Sequence, residues 1–493
     1  MYDRVLPIFI KNRKSYNYDS SKITCKPKEY FNNINYKNVK IAFVCDEMTY
    51  KSFKCECNSV YLTPTNWFSV LEEFKPDIFF CESAWNGIEE YKNCWRGKIY
   101  KNKNILFNNR RDLFNILDYC KRVNIKTVFW NKEDPFYFDN EKNNFSDTAL
   151  YFDYIFTTCV ECEKKYKELG HNNVHTLMFG FSEKIFNPLN STEKNGEVVF
   201  AGSWFGEHKE RCKDMIDIFR MIKDKGIKLK IYDRNFNTSN PLRKFPNKFA
   251  SNINPTVPFE KLKEIYIKSS YVININSSKH SETMFARRVF EIMACNTCII
   301  SNESKGMRSI FESNVWFFND NFNFKNIKRI CAENAQYVLE NHTNTKRLKS
   351  IYDNIGIEYN NKNCILCVIY TNMDIKKCKE IFKDIDYKEK KGLLINNNFV
   401  INIEDNNKCE IKDFIESNRE SYFIVINNEK FNVTGISKVF VHFSYLEDFI
   451  GISLGEDKFK LVEDTNYYGC VFKGKYMKNI LYSNNLKFKK YTI

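Results

Sequence analysis

Residues 281–298 read SETMFARRVFEIMACNTC, and residues 299–306 continue IISNESKG. The spacing predicts an amphipathic helix over 281–298, then a short apolar strand, then a Ser/Lys/Gly loop. On such a helix Met284, Arg288 and Glu291 share a stripe at i, i+4, i+7. Phe285, Val289, Ile292 and Met293 form the adjoining apolar stripe, which buries against a sheet. Arg287 precedes Glu291 by one helical turn, so both arginines reach that carboxylate or release it to a ligand. Arg–Glu pairs on helices are most often a solvated face. Two planar guanidiniums and one carboxylate also suit a phosphorylated ribose, because arginine grips phosphate oxygens bidentately and glutamate accepts from hydroxyls.

Outward from this stretch, the chain alternates short apolar runs with helical patterns. VKIAFVCDEMT at 39–49 reads as a buried strand ending in Asp46-Glu47. Further strands are expected at 60–62, 78–81, 127–130 and 154–157, with helices at 66–74 and 111–123. This alternation predicts a doubly wound parallel sheet, whose ligands lie beyond the carboxyl ends of the strands. Those ends carry Asp46-Glu47, then Glu82-Ser83-Ala84-Trp85, then Asn131-Lys132-Glu133-Asp134-Pro135. Acidic residues are also ordinary in loops and at helix caps.

A polar hinge is expected over 180–197, GFSEKIFNPLNSTEKNGE. A second unit opens with VVFAGSWFGEHKERCKDMIDIF at 198–219. Its Gly202-Ser203 turn before a helix suits a pyrophosphate, although it is neither GxGxxG nor a P-loop. LKIYDRNF at 229–236 ends a strand in Asp233-Arg234, and YVININSS at 271–278 leads into the opening stretch.

The stretch TMFARRVFEIMACNT with its trailing SKG resembles the CgeB-like, or spore-maturation-protein, glycosyltransferases, a branch of the GT-B group. CDEMTYKSFKCECN, LTPTNW, PDIFFCESAWNG and TVFWNKEDPFYFD resemble the N-terminal half of the same family. The resemblance covers roughly residues 39–345. It implies an α/β fold of two facing Rossmann-like domains plus a smaller C-terminal α/β domain. The expected boundaries are 1–185 for the acceptor domain, 186–355 for the nucleotide-sugar domain and 356–493 for the last. It further implies that Glu291 binds the donor ribose, while Arg287, Arg288 and Arg211 neutralise the leaving diphosphate. Gly202, Ser203 and Trp204 line the diphosphate or the sugar, and Asp233, Arg234, Met284 and Phe285 complete the donor set. Relatives carry another glutamate eight residues before Glu291. Here that position is Thr283.

The expected reaction is sugar transfer from a UDP- or GDP-sugar to a hydroxyl of a glycan, protein or cell-surface polymer, without metal or other cofactor. An inverting enzyme needs one base, for which Glu47, Glu82 and Asp134 are the candidates; a retaining enzyme needs none of that kind. The rival reading is a non-catalytic carbohydrate- or nucleotide-binding scaffold. After 360, CILCVIYTNMDIKKCKEIFKDI, GLLINNNFVINI and SYFIVINNEKF read as strand and helix segments resembling a worn GT-A domain. Its metal position, Asn427-Asn428-Glu429, carries too little negative charge to hold a divalent ion.

Composition sets outer bounds. The chain has 493 residues, 43% hydrophobic, enough to fill two or three cores. Its formal charge of +15 comes from dispersed lysines, without zinc-finger or RNP-type signatures, so nucleic acid is not an expected partner. A peripheral membrane contact is compatible with that charge. The N-terminus lacks a signal-peptide core and no apolar run is long enough to span a bilayer, so a cytoplasmic protein is expected. The 18 cysteines are then reduced thiols. Cys55/Cys57, Cys159/Cys162 and Cys295/Cys298 are close pairs, without the spacing of a zinc site.

Overall fold

The computed structural model describes residues 16–30, 34–104, 108–191, 193–321, 324–360, 365–396, 399–428, 431–446, 450–455, 459–482 and 487–493. The sequence's metal-position Glu429 and parts of its Asn-rich 360–363 and 396–398 patches lie outside them.

Three large sheets organise the described residues, beside a two-stranded parallel pairing of Ile34–Asn35 with Tyr359–Asn360. The first has six parallel strands in the spatial order Asn58–Tyr61, Lys40–Val44, Ile78–Glu82, Lys126–Asn131, Tyr154–Thr157, Val174–Thr176. The runs IAFV and IFFCE are buried at every residue. Central parallel strands are covered on both faces, which is why they read as continuous apolar runs. The second sheet is also parallel and six-stranded: Ile253–Asn254, Leu229–Asp233, Val198–Gly202, Tyr271–Asn274, Cys298–Ser301, Trp316–Phe317. In each sheet the strand order reverses beside the first strand. That creates a crevice beyond Val44 and Glu82 in one sheet, and beyond Gly202 and Asn274 in the other. This mixed α/β architecture is the GT-B arrangement of paired Rossmann-like sheets.

The 324–350 helical pattern resolves into two helices, Ile327–Asn341 and Asn344–Ile355. Thr343 caps the second by accepting from Lys346 N. This second helix returns to the first sheet: Leu348, Ile351, Tyr352 and Ile355 are part of its core. The first helix serves two sheets. Its Val338 and Leu339 lie in the core of the second, and its Ala335 in that of the third.

The third sheet is mixed and eight-stranded. Leu366–Thr371 pairs in parallel with Lys390–Asn396 and Tyr422–Ile426, while Val471–Lys473 runs antiparallel to Tyr422–Ile426. It docks on the helix 327–341 partly through Gln336, which donates to Lys438 O at 3.0 Å and meets His442 Nε2 at 2.8 Å. The described cysteines are free thiols. Among the described residues, no helix is long and apolar enough to cross a membrane.

The 281–298 stretch departs from expectation. Only Arg288–Ala294 is helical, and Ser281–Arg287 is an extended loop. The Met284, Arg288, Glu291 stripe therefore does not exist as a helix face.

Candidate functional site

At the first crevice, one lysine is held between two acids. Lys132 Nζ lies 3.0 Å from Glu82 Oε1 and 3.3 Å from Asp46 Oδ2. Glu82 also accepts from Asp46 N at 2.6 Å. Asp46 accepts from the backbone N–H groups of Trp85, Asn86 and Gly87. Burial works against its charge, yet Lys132 and those three N–H groups keep the Asp46 carboxyl below its ordinary value. Glu82 is fully buried, and burial raises its pKa although Lys132 opposes that.

The three carboxylates expected as bases thus have different occupations. Glu82 is committed to Asp46 N and Lys132. Asp134 is sealed in the core, accepting from Asn131 Nδ2 at 2.8 Å, Thr157 Oγ1 at 2.7 Å and Tyr166 OH at 3.1 Å. Its burial corrects its assignment to the rim. Glu47 is half-buried, paired with Lys51 at 3.0 Å and accepting from Glu89 N.

A fourth carboxylate, Glu133, lies half-buried on the same loop as Asp134, and sequence reasoning passed over it for that neighbour. Burial raises its pKa, with Lys132 opposing and Trp85 hydrogen-bonded to it. Tyr137 feels Glu133 and also Glu207 and Arg243 of the second unit. The two rims meet where Lys51 of the first pairs with Glu260 of the second unit. Asn131 and Asp134 turn inward to each other, while Lys132 between them reaches Glu82 and Asp46.

At the second crevice four arginines converge. Arg211 is buried and donates to Ser203 O at 3.2 Å. Burial, then Arg288 and Arg234, push its pKa down to about 10. Arg234 is open to the cleft, but burial of its charge, with Arg288 and Arg287 nearby, also lowers it to about 10. Arg288 is half-buried over the Phe200 ring, 5.3 Å from its centroid, and its Nη1 is buried without a hydrogen-bond partner. Burial is the main cause of its lowered pKa. Among the described residues, Arg287 alone of the four pairs with a carboxylate: its Nε lies 2.8 Å from Glu291 Oε1, an ion pair without hydrogen-bond alignment.

Gly202 explains how Arg288 fits. A Cβ there would stand 3.0 Å from Arg288 Nη1 and 2.8 Å from Phe200 Cζ. Arg234 N donates to Gly202 O at 3.1 Å, tying neighbouring strand ends together. Asp233 is buried and accepts from Asn235 N at 2.9 Å; burial raises its pKa.

Three expected donor residues are placed elsewhere. Trp204 packs in the core, its ring 5.6 Å from that of Phe245. Phe285 is a core residue of the second sheet. Met284 packs against the core of the first. Apolar side chains in a motif are ambiguous between lining a site and filling a core, and here the core takes them. Ser203 contributes its carbonyl, held by Arg211.

Residues 216–353 match a family model described as glycosyl transferase-like. The match spans the later strands of the second sheet and the two helices that follow it, so this part of the chain is a glycosyl transferase-like region. Solved structures similar to it include an alpha-glucosyltransferase in complex with UDP-glucose and DNA containing an abasic site. That likeness is 12% identical over 64% of this chain and 99% of that one, with a TM-score of 0.43. Another is a glycosyltransferase from Rickettsia africae, 12% identical over 64% and 89%, TM-score 0.40. A third is a lipopolysaccharide outer core galactosyltransferase, 12% identical over 64% and 99%, TM-score 0.35. No curated protein matches the chain.

Proposed function

We propose that the chain moves a sugar from a nucleoside-diphosphate sugar, a UDP- or GDP-sugar, to a hydroxyl of a glycan, protein or cell-surface polymer, and that it does so without a metal ion. We place it in the CgeB-like branch and read the third sheet as a GT-A-like domain without catalytic function. The observation that carries the reading is the cluster of Arg211, Arg234, Arg287 and Arg288 at the crevice of the second sheet. Among the described residues a single carboxylate, Glu291, pairs with it. Burying like charges together costs free energy that an anion offsets.

In the transfer, the acceptor oxygen bonds to the anomeric carbon as the bond from that carbon to the diphosphate oxygen breaks. Negative charge grows on the departing diphosphate. Guanidiniums fixed in advance around it stabilise the transition state more than the ground state. Glu291 holds the ribose hydroxyls. Glu133, half-buried on the loop after the fourth strand of the first sheet, is the group to take the acceptor proton in an inverting transfer; its burial raises its pKa, in the direction useful to a base.

A thermal-shift screen with UDP, GDP, CDP and ADP, and with their sugars, tests this reading. A shift with one nucleotide and hydrolysis or transfer of its sugar supports it. No shift with any of them removes the donor assignment and leaves the non-catalytic scaffold.

A further inference from the structure

The loop Ser281–Arg287 belongs to the second unit in sequence, yet the first unit holds it. Thr283 Oγ1 donates to Thr158 O at 2.8 Å and accepts from Val160 N at 2.9 Å. Glu161 accepts from Ser281 Oγ at 2.7 Å and from Glu282 N at 2.8 Å. Thr158, Val160 and Glu161 all sit at the start of the helix Val160–Glu168. Its leading N–H groups have no partner within the helix, and Thr283 supplies one from another domain. Further along the same loop, Arg287 Nη2 reaches Met48 Sδ at 3.4 Å on the first rim.

Below, the loop rests on Gly306. A Cβ at that position would stand 2.6 Å from Glu282 O and 3.0 Å from Phe285 Cδ1. The loop is also tied to its own unit: Gly306 N donates to Ser281 O, Lys305 pairs with Glu282, Ala286 N donates to Asn276 Oδ1, Phe285 packs in the second core and Arg287 pairs with Glu291. None of these fixes Thr283. The loop runs directly into Arg287 and Arg288, so whatever fixes its path also fixes the guanidiniums.

We propose that Thr283 and Glu161 are positioning residues of the donor site: they staple the arginine-bearing loop to the first domain, so that the closed arrangement of the domains sets the affinity for the nucleoside diphosphate. The proposal rests on the nucleotide reading for its consequence, though not for the staple itself. It also gives Thr283 a task. A hydroxyl both donates and accepts, and here it meets one carbonyl and one N–H at once. A carboxylate could satisfy only the N–H.

The test compares wild type with Thr283→Val, Thr283→Ser and Glu161→Gln as full chains. UDP and GDP affinities are measured by calorimetry, and the radius of gyration without nucleotide by X-ray scattering. Thr283→Val removes the hydroxyl and leaves two buried backbone groups without their partner. It should bind nucleotide about tenfold more weakly and be measurably expanded. Thr283→Ser keeps the hydroxyl and should restore both properties. Glu161→Gln turns one acceptor into a donor facing Ser281 or Glu282 and should weaken binding in the same direction. Equal affinity and equal radius in wild type and Thr283→Val overturn the proposal, as does a serine variant that restores neither. If wild type binds neither UDP nor GDP, the nucleotide reading falls separately. The scattering then decides the staple: an expanded Thr283→Val chain supports it and an unchanged one overturns it.

Discussion

The two crevices share a topology and differ in charge balance. Beyond the first sheet, Lys132 is surrounded by Asp46 and Glu82, which balance its charge, and hydrogen bonds occupy the polar atoms except Glu82 Oε2. Beyond the second, four arginines share one glutamate and Arg288 Nη1 is left unpaired. A satisfied polar network stabilises a rim, whereas an unsatisfied one holds free energy in reserve for a ligand. The difference teaches that acidic residues at a strand end do not by themselves mark chemistry. What marks it is charge the fold has not neutralised.

The comparison breaks most readily at Lys132. If the first rim is structural, Lys132→Met leaves Glu82 and Asp46 without their cation and costs about 3–5 kcal/mol of stability, read as a lower midpoint in urea unfolding. An unchanged midpoint would mean the acids are poised like the arginines opposite, and the contrast would vanish.

Arg288 should respond in the opposite sense. Arg288→Ala should weaken nucleoside-diphosphate binding by about 1.5–3 kcal/mol, by calorimetry. The unliganded variant should be no less stable than wild type, because the lost charge faced Arg211, Arg234 and Arg287. Equal affinities in the two proteins would take the diphosphate out of this crevice.

Asp134 sharpens the contrast from within the first sheet. Burial raises its carboxyl from 3.8 to about 7, although Thr157 and Tyr166 donate to it. A carboxyl with a higher pKa folded than unfolded binds more protons in the folded state. Its contribution to stability is full below about 3.8 and is lost as pH rises through about 7. Asp134→Asn should flatten that fall by on the order of 2 kcal/mol between about pH 4 and about pH 8. An unchanged slope would show that the site stays ionised.

Much of the fold was legible for a simple reason. Runs such as IAFV at 41–44 and IFFC at 78–81 are buried on both faces, and no other element of that length reads so. The overlong helix at 281–298 shows the limit. Its apolar spacing continues through Met284 and Phe285, but the Ser281 and Thr283 hydroxyls and the Glu282 N–H find partners more than a hundred residues earlier in the chain, at 158–161. Local periodicity carries no trace of such contacts. Arg287 and Arg288 stood out in the sequence because two guanidiniums beside a glutamate are chemically distinctive. Glu133 was not, because in a loop nothing periodic says which of two adjacent acids turns inward.

The smallest effect is expected from removing divalent metal. A cation at the second crevice would join four arginines, two of which, Arg211 and Arg234, burial and then the neighbouring guanidiniums already lower to about 10. The carboxylates nearby are poorly placed to hold one: Asp233 is buried against Asn235 N, and Glu291 is engaged by Arg287. Among the described residues, no three His, Cys, Asp or Glu side chains gather as a ligand set. In the third domain the strand Tyr422–Ile426 leads into the neutral amides Asn427-Asn428. The guanidiniums can therefore supply the positive charge that a metal would bring to the leaving diphosphate. Transfer should proceed in EDTA within about twofold of the rate with Mg²⁺, a difference too small to mark a lost catalytic charge. Transfer that stops in EDTA and resumes with Mn²⁺ would mean that the arginines bind the diphosphate without activating it. The chemistry would then belong to another part of the chain, and the contrast between the two crevices would concern binding alone.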